Sequence, residues 1–281
     1  MNLLLGENDG LPMPEVGAWS ETKYQLVRLY DELFATGMKN KWGQRIYIDL
    51  YAGAGCAKVK GTQKILAGSP VIALKARDSF DKYIFCEKDE GLLQALRDRV
   101  QGLAPSANVV YVRGDCNKKA REIVDEIPSG SKGNTALGLC FVDPFNIGIR
   151  FSTIRQLASR RVDFLILLAL YMDAARNRVT YSKESSTKID EFLGTNQWRP
   201  RWEAAKWRAA RFPEFLAAEY AASMAGLGFL ETPLHKMKKV RSDDRNLPLY
   251  YLALFSRSQK AHDFWKQVLK YETPQRRLFE E

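Results

Sequence analysis

Short apolar runs alternate with helical patterns through the first 172 residues of the chain. The runs are apolar on both faces, which is typical of strands buried between two layers of helices. The predicted strands are 45–50, 82–87, 108–112, 136–142 and 162–170. The first helix is predicted to begin near Ser20 or Thr22 and carries on one face Leu26, Leu29, Leu33 and Phe34. Later helices are predicted from Ser69, which is followed by Pro70 at the first helical position, and over 90–100, 116–127 and 152–159.

The pattern changes after residue 172. Residues 173–225 are helical, basic and aromatic, and they predict an insertion before two last strands, 232–240 and 249–255. These strands flank a polar turn at 242–246 and are expected to pair antiparallel, with a helix after His262. We therefore predict an α/β fold with a mostly parallel seven-stranded sheet flanked by helices. Its parts are an irregular leader (1–18), a core (19–172), the insertion (173–225) and C-terminal elements completing the core (226–281).

The first predicted strand runs directly into a glycine loop, Asp49-Leu50-Tyr51-Ala52-Gly53-Ala54-Gly55. Gly53 and Gly55 lack a Cβ and can take positive φ, which lets backbone amides approach a ligand closely. The full dinucleotide fingerprint needs a third glycine where this chain has Lys58. The loop therefore favours a ligand without a pyrophosphate, such as S-adenosylmethionine; the alternative is an ordinary strand–helix turn. The predicted cofactor residues of this loop are Asp49, Ala52, Gly53 and Gly55.

Carboxylates follow the next strands at their C-terminal ends, where open α/β sheets bind ligands. Glu87 ends the second strand, at the place where a carboxylate accepts ribose hydroxyls. Asp115 ends the third strand and is placed for an adenine amino group, although it can equally cap the helix that begins at Cys116. Asp143 ends the fourth strand. With Asp49 at the end of the first strand, acidic residues end four successive strands. Such a series favours a cofactor site over a chance placement of surface carboxylates.

The sequence Asp143-Pro144-Phe145 predicts a site for a target amine. A polar side chain there accepts hydrogen bonds from the amine, and the aromatic ring stacks on a base. With Asn146, the loop resembles the Asp-Pro-Phe-Gly sequence of tRNA guanine-N2 dimethyltransferases, with Asn in place of Gly. The alternative is a plain strand-ending turn.

Lys and Arg exceed Asp and Glu by ten, 43 against 33, which raises the prospect of a polyanionic partner. The insertion interleaves aromatic and basic residues, a pattern that can stack on bases and pair with phosphates. The same aromatic residues can instead anchor the insertion to the core. The candidate nucleic-acid contacts are Arg199, Arg201, Trp202, Lys206 and Arg208.

Cysteine usage and the N-terminus give further expectations. The four cysteines form no CxxC pair, and with two histidines in the chain no metal site is predicted. Cys86 and Cys140 fall in apolar runs, which indicates buried thiols. No apolar run is long enough to span a membrane, and residues 1–5 do not resemble a secretion signal, so we expect a cytoplasmic location and no membrane association.

Taken in order, six motifs resemble those of the three-Cys-motif partner proteins. They lie at 47–55, 68–70, 85–89, 114–115, 141–145 and 250–256, and the resemblance covers roughly residues 18–270. That family usually has Pro where Ala54 stands and Gly where Asn146 stands. The resemblance implies a Rossmann-like methyltransferase fold, a cysteine-rich partner related to radical-S-adenosylmethionine proteins, and frequent association with phage or mobile elements.

Two function hypotheses follow. The first is an S-adenosylmethionine-dependent methyltransferase acting on an exocyclic amine of a nucleic-acid base, with Asp143, Pro144 and Phe145 at the target. The second is an adaptor that keeps the fold, with or without the cofactor, and serves the partner protein. A nuclease is poorly supported. Outside the predicted cofactor positions, the sequence offers no cluster of acidic residues with a nearby catalytic lysine.

Overall fold

The computed structural model describes residues 4–5, 8–130, 135–242 and 246–271. Parts of the predicted loop at 128–134, of the polar turn at 242–246 and of the C-terminal region lie outside these residues. The described strands are β1 (Leu4–Leu5), β2 (Glu15–Val16), β3 (Gln44–Asp49), β4 (Cys56–Val59), β5 (Ile65–Ala67), β6 (Lys82–Glu87), β7 (Val109–Arg113), β8 (Ala136–Val142), β9 (Val162–Leu168), β10 (Lys238–Arg241) and β11 (Pro248–Phe255).

The helices alternate with these strands as predicted through the first half of the chain. They are α1 (Ser20–Met38), α2 (Ser69–Leu74), α3 (Glu90–Leu103), α4 (Cys116–Asp125), α5 (Phe151–Leu157), α6 (Arg178–Tyr181), α7 (Lys188–Leu193), α8 (Trp198–Ala205), α9 (Phe212–Ala225) and α10 (Gln259–Tyr271). A π-helical turn, Leu170–Ala174, follows β9. Within the described residues, no helix has both the length and the apolar character that crossing a membrane requires.

The central sheet has seven strands in the order β10-β11-β9-β8-β3-β6-β7. Neighbouring strands from β9 to β7 are parallel, while β11 is antiparallel to both β9 and β10. The predicted fold, a mostly parallel seven-stranded sheet flanked by helices, is therefore confirmed. The last two strands also pair antiparallel, as their hydrophobic pattern predicted.

Alternation along the central strands divides the core into two layers. In β8 every residue is buried, and Leu139 and Phe141 face the layer that contains α1, α3 and α10. Cys140 and Val142 face the other layer, with α4, α5, α7 and α9. This double burial explains why the strands have continuous apolar runs. All four cysteines are buried free thiols.

A second, four-stranded sheet with the order β1-β5-β4-β2 joins the leader to the residues after the glycine loop. The leader was expected to be irregular, and the structure instead gives it two short strands. Strand β2 runs parallel to β4, and the Lys60 amide donates to the Val16 carbonyl at 2.8 Å. Arg99 of α3 also binds Asp9 and the carbonyl oxygens of Leu11 and Pro12. Two-residue strands held by long-range partners leave no periodic signal in the sequence.

The region 173–225 lies between β9 and β10 in the chain and is largely helical. Its last helix, α9, packs in the core. Phe212, Leu216, Tyr220 and Met224 are fully buried on it. Trp198 of α8 is also buried and packs near Phe212, with ring centroids 6.0 Å apart. Trp198 and Phe212 thus anchor this region to the core.

Candidate functional site

The glycine loop lies where the C-terminal ends of β3, β6 and β7 meet. The Gly53 amide donates to Glu87 Oε2 at 2.8 Å, and the Ala52 amide donates to the Cys86 carbonyl at 2.9 Å. The Gly114 amide donates to the Glu87 carbonyl at 2.9 Å, which places Asp115 beside the same edge. The structure therefore brings together the loop, Glu87 and Asp115. We call this region the carboxyl edge.

The two loop glycines have different surroundings. Gly53 has φ +58°, and a Cβ placed there meets no atom within 4 Å, so its outer face borders open space. Gly55 has φ +77°, but a Cβ there approaches Leu96 to 2.8 Å and Val71 to 3.1 Å. Its close neighbour Gly68 donates its amide to the Gly55 carbonyl at 2.8 Å. Gly53 is thus the glycine that faces a possible ligand, and Gly55 is required by packing.

The residues after Gly55 differ from a simple strand–loop–helix unit. A hairpin made of β4 and β5 is inserted, and α2 begins only at Ser69. After this hairpin, Gly68 contacts Gly55 and brings the chain back to the glycine loop. The contact requires glycine at position 68, because a Cβ there would lie 3.0 Å from the Gly55 carbonyl carbon and oxygen. The insertion lengthens the spacing from the loop to Glu87 without moving Glu87 away from it.

The carboxylates at this edge are held by backbone amides. Glu87 Oε1 accepts from the Asp89 amide and Oε2 from the Gly53 amide, both at 2.8 Å. Each oxygen keeps a second lone pair for a ligand hydroxyl. Asp115 Oδ1 accepts from the Asn117 amide at 2.8 Å and so caps α4, as the alternative interpretation held. Both side chains are half-buried, and their chemistry fits a ribose and an adenine amino group.

Asp49 lies beneath the loop and is fully buried. Burial raises the pKa of its carboxyl to about 7, although hydrogen bonds from the Ser69 side chain and the Tyr51 amide act in the opposite direction. Asp143 and Glu87 add to the rise by charge repulsion, which shows that the three acids lie near one another. The Asp49 carboxyl, with its pKa of about 7, is therefore about half protonated at neutral pH.

Asp143 forms a buried ion pair with Lys23 of α1. The Lys23 Nζ lies 2.5 Å from Asp143 Oδ2, and the two side chains are 9% and 15% exposed. Burial by itself lowers the pKa of Lys23, but the adjacent Asp143 charge overrides it and raises the pKa above the ordinary lysine value. Lys23 is therefore a cation at neutral pH, and its Nζ also lies 4.4 Å from the centroid of the Tyr24 ring.

The ion pair lines a cavity of about 440 Å³, which we call the Asp143 pocket. Pro144 is buried in its wall, whereas Phe145 is 78% exposed. The remaining wall includes Trp19 beside the start of α1, Lys60 after β4, Leu167 of β9, Met172 of the π-helical turn and Tyr250 of β11. The ring of Trp19 packs on Gly17, where a Cβ would lie 2.2 Å from it. The pocket is thus an apolar, aromatic-lined space with one ion pair.

Asp173 holds the loop that follows Asp143. Its Oδ2 accepts from the Ile147 amide at 2.9 Å, and its Oδ1 accepts from Asn177 at 2.8 Å and from the Tyr181 hydroxyl at 2.9 Å. Asp173 is 7% exposed and belongs to the π-helical turn. The turn therefore connects the Asp143 loop to α6.

The candidate nucleic-acid residues fall into two groups. Arg199 pairs with Asp190 at 2.6 Å and donates to the carbonyls of Lys183 and Ser186. Arg201 pairs with Glu219, and Trp202 packs on Phe212 and Phe215 with ring centroids 5.0 Å away. These three residues have partners within the protein. Lys206 and Arg208 are exposed, and Lys206 ends α8 with φ +50°.

Two residues of this region were missed by the sequence reasoning. Lys23 lies in phase with buried Val27, Tyr30 and Phe34 of α1, so a charge on the apolar face was the available signal. Asp173 follows a buried strand and precedes a basic stretch, and sequence alone offers no pattern for a π-helical turn.

No family model matches the chain, and no curated protein matches it. Among solved structures, it is similar to a Legionella pneumophila protein at 13% identity, over 89% of this chain and 92% of that one, with a TM-score of 0.48. An O-methyltransferase from Bacillus cereus in complex with SAH matches at 10% identity, over 88% and 84%, with a TM-score of 0.49.

A third similar structure is Trm1 from Pyrococcus horikoshii with S-adenosyl-L-methionine, at 8% identity over 93% of this chain and 63% of that one, with a TM-score of 0.47. Structural similarities at this low sequence identity do not indicate the activity of the chain. The strand order and directions of the chain itself define it as an α/β protein with a Rossmann-like, mostly parallel seven-stranded sheet. What it does has to follow from its own side chains.

Proposed function

We propose that this protein is an S-adenosylmethionine-dependent methyltransferase that acts on an exocyclic amine of a nucleic-acid base. The observation that carries the proposal is the carboxyl edge, where Gly53 borders open space and donates its amide to Glu87, with Asp115 at the end of the next strand. Glu87 would hold the ribose hydroxyls and Asp115 the adenine amino group, while Asp49, Ala52 and Gly55 shape the loop. When bound, S-adenosylmethionine supplies a methyl group carried on a sulfonium sulfur.

The Asp143 pocket supports the choice of acceptor. Asp143 accepts a hydrogen bond from the target amine and thereby directs the nitrogen lone pair outward, with Pro144 fixing the loop. The exposed ring of Phe145 offers a stacking face for a base, worth about 1–3 kcal/mol. The net charge of +10 favours a polyanionic substrate. Lys206 and Arg208 are the exposed candidates for phosphate contacts, and the paired Arg199, Arg201 and Trp202 support the helices that present them.

Calorimetric titration with S-adenosylmethionine and S-adenosylhomocysteine tests the cofactor site. Glu87→Gln is expected to weaken both by about tenfold or more, because charged hydrogen bonds contribute about 1.5–3 kcal/mol. Glu90→Gln is the matched control, since Glu90 is exposed and pairs with Arg113. Absence of binding by the wild-type protein would refute the proposal.

Methyl transfer to nucleic acid tests the acceptor site. Asp143→Ala is expected to abolish transfer and to leave cofactor affinity unchanged, with the exposed Asp125→Ala as control. Nucleoside mass spectrometry of the treated nucleic acid identifies the modified base. Unchanged transfer by Asp143→Ala would remove that residue from its assigned role.

The resemblance to three-Cys-motif partner proteins supports a second proposal, that the chain associates with a cysteine-rich radical-S-adenosylmethionine-like protein and belongs to a phage or mobile element. Co-purification of the two chains after co-expression tests the association. Failure to associate contradicts the adaptor role and leaves the methyltransferase proposal standing.

A further inference from the structure

The pair of Lys23 and Asp143 gives the acceptor site an unusual charge balance. A carboxylate alone at the floor of an aromatic pocket attracts alkylammonium groups, such as protein lysines or polyamines, and holds them protonated. Here the carboxylate already has a cationic partner 2.5 Å away, and both groups line the Asp143 pocket. The floor of the pocket therefore has no net charge, and its cation is fixed in place.

The Lys23 ammonium is held from several sides. Tyr24 and Tyr250 lie close enough to interact with it, in addition to Asp143. Lys23 is only 7% exposed, so its charge is poorly screened by solvent within the pocket. A second cation entering the Asp143 pocket is therefore repelled by Lys23 and meets a carboxylate that is already paired.

Resting on the methyltransferase function proposed above, we infer that Lys23 is a specificity-determining residue which restricts the acceptor to a neutral, ring-conjugated amine and excludes alkylammonium groups. An alkylamine with a pKa of about 10.4 is almost entirely protonated at neutral pH and has no free lone pair. The exocyclic amine of a nucleobase is neutral because its lone pair is delocalised into the ring. It meets no repulsion from Lys23, and the aromatic side chains of Trp19, Phe145 and Tyr250 line the pocket that would receive it.

The chemistry of the transfer balances with these residues. The acceptor nitrogen uses its lone pair to form the N–CH3 bond, and the S–CH3 bond breaks with its electron pair remaining on sulfur. The nitrogen then loses one proton, which passes to the Asp143 carboxylate and on to solvent. A neutral amine needs no deprotonation before the transfer, so Lys23 can remain protonated throughout.

Binding measurements with spermidine as the cationic probe and with neutral nucleosides test the inference. Wild-type protein is expected to bind a nucleoside in the Asp143 pocket and to bind spermidine weakly. Lys23→Met, which keeps the length of the side chain and removes the charge, is expected to bind spermidine at least tenfold more tightly, because two unit charges about 5 Å apart interact strongly at an effective dielectric constant of about 20.

Lys23→Arg should retain the wild-type selectivity, since it preserves the charge. Lys266→Met is the control and should leave spermidine affinity unchanged, because Lys266 is exposed on α10 and does not line the pocket. Equal spermidine affinity in wild-type and Lys23→Met protein overturns the inference. Should Lys23→Met fail to fold, the wild-type protein decides: methylation of spermidine or of a lysine peptide as fast as of nucleic acid also overturns it. Cofactor binding, measured separately, reports on the methyltransferase function itself.

Discussion

Replacement of Asp173 by Ala is expected to destabilise the protein more than any single hydrogen bond of that side chain suggests. The change removes an acceptor shared by the Ile147 amide, Asn177 and the Tyr181 hydroxyl. Ile147 is 1% exposed, so its amide would be left buried without a partner, at a cost of about 1–3 kcal/mol. The two other donors lie on half-buried or exposed residues and regain water, which limits their loss to roughly 0.5–1 kcal/mol each.

Together these contributions predict a loss of about 3 kcal/mol in the free energy of unfolding. Urea denaturation at neutral pH measures it, and a thermal scan should show a fall of roughly 6–12 °C in Tm. Tyr181→Phe removes only one of the three bonds and should cost about 1 kcal/mol. Because Asp173 fixes the loop after Asp143, methyl transfer should fall in Asp173→Asn while cofactor affinity stays constant.

Two outcomes would refute this account of Asp173. One is a destabilisation of less than about 1 kcal/mol in Asp173→Ala, which would mean that the Ile147 amide finds water or another partner. The other is an equal effect of Tyr181→Phe, which would place the stabilisation in the tyrosine contact rather than in the loop anchor.

Three further predictions concern other regions. Gly55→Ala should lower the free energy of unfolding more than Gly53→Ala, because both have positive φ but only the former meets Leu96 and Val71, whereas Gly53→Ala should weaken cofactor binding more in calorimetry. Burial raises the pKa of the Asp163 carboxyl to about 7, against the effect of its hydrogen bond with Ser256. This carboxyl therefore ionises at a lower pH in the unfolded chain than in the folded protein, and the free energy of unfolding should fall as the pH rises from about 4 to 7. Asp163→Asn should remove that part of the pH dependence in denaturation curves. Joint replacement of Lys206 and Arg208 by Ala should reduce the salt dependence of the nucleic-acid binding constant by about two phosphate contacts. Arg199→Ala should instead act mainly on stability. An unchanged salt dependence would exclude Lys206 and Arg208 as phosphate ligands.

The central sheet could be predicted from the sequence because its strands are buried on both faces. The runs around Ile48, Phe85 and Phe141 therefore stand out, and their order along the chain with helices between them restricts the topology. Glu87 and Asp115 could be placed at one edge for the same reason, since parallel strands end on the same side. The capping role of Asp115 was one of two alternatives, and the structure confirms the cap while the cofactor contact stays a prediction.

The remaining features depend on contacts between distant residues. Lys23 and Asp143 are 120 positions apart, and the local sequence around either residue does not predict that the two form an ion pair. The strands of the leader are two residues long and exist through pairing with β4 and β5. The aromatic residues of α8 and α9 fitted two interpretations; Trp198 and Phe212 are buried in the core, whereas a nucleic-acid contact by the half-buried Trp202 stays a prediction.

The stretch from Glu15 to Lys23 takes part in three structures at once. It supplies β2 to the second sheet, Trp19 to the wall of the Asp143 pocket and Lys23 to the ion pair. The hairpin that β2 joins continues directly from Gly55, so β-pairing links this stretch to the glycine loop. Shortening the chain past Lys23 would therefore remove one strand of the second sheet, part of the wall of the Asp143 pocket and the cationic partner of Asp143.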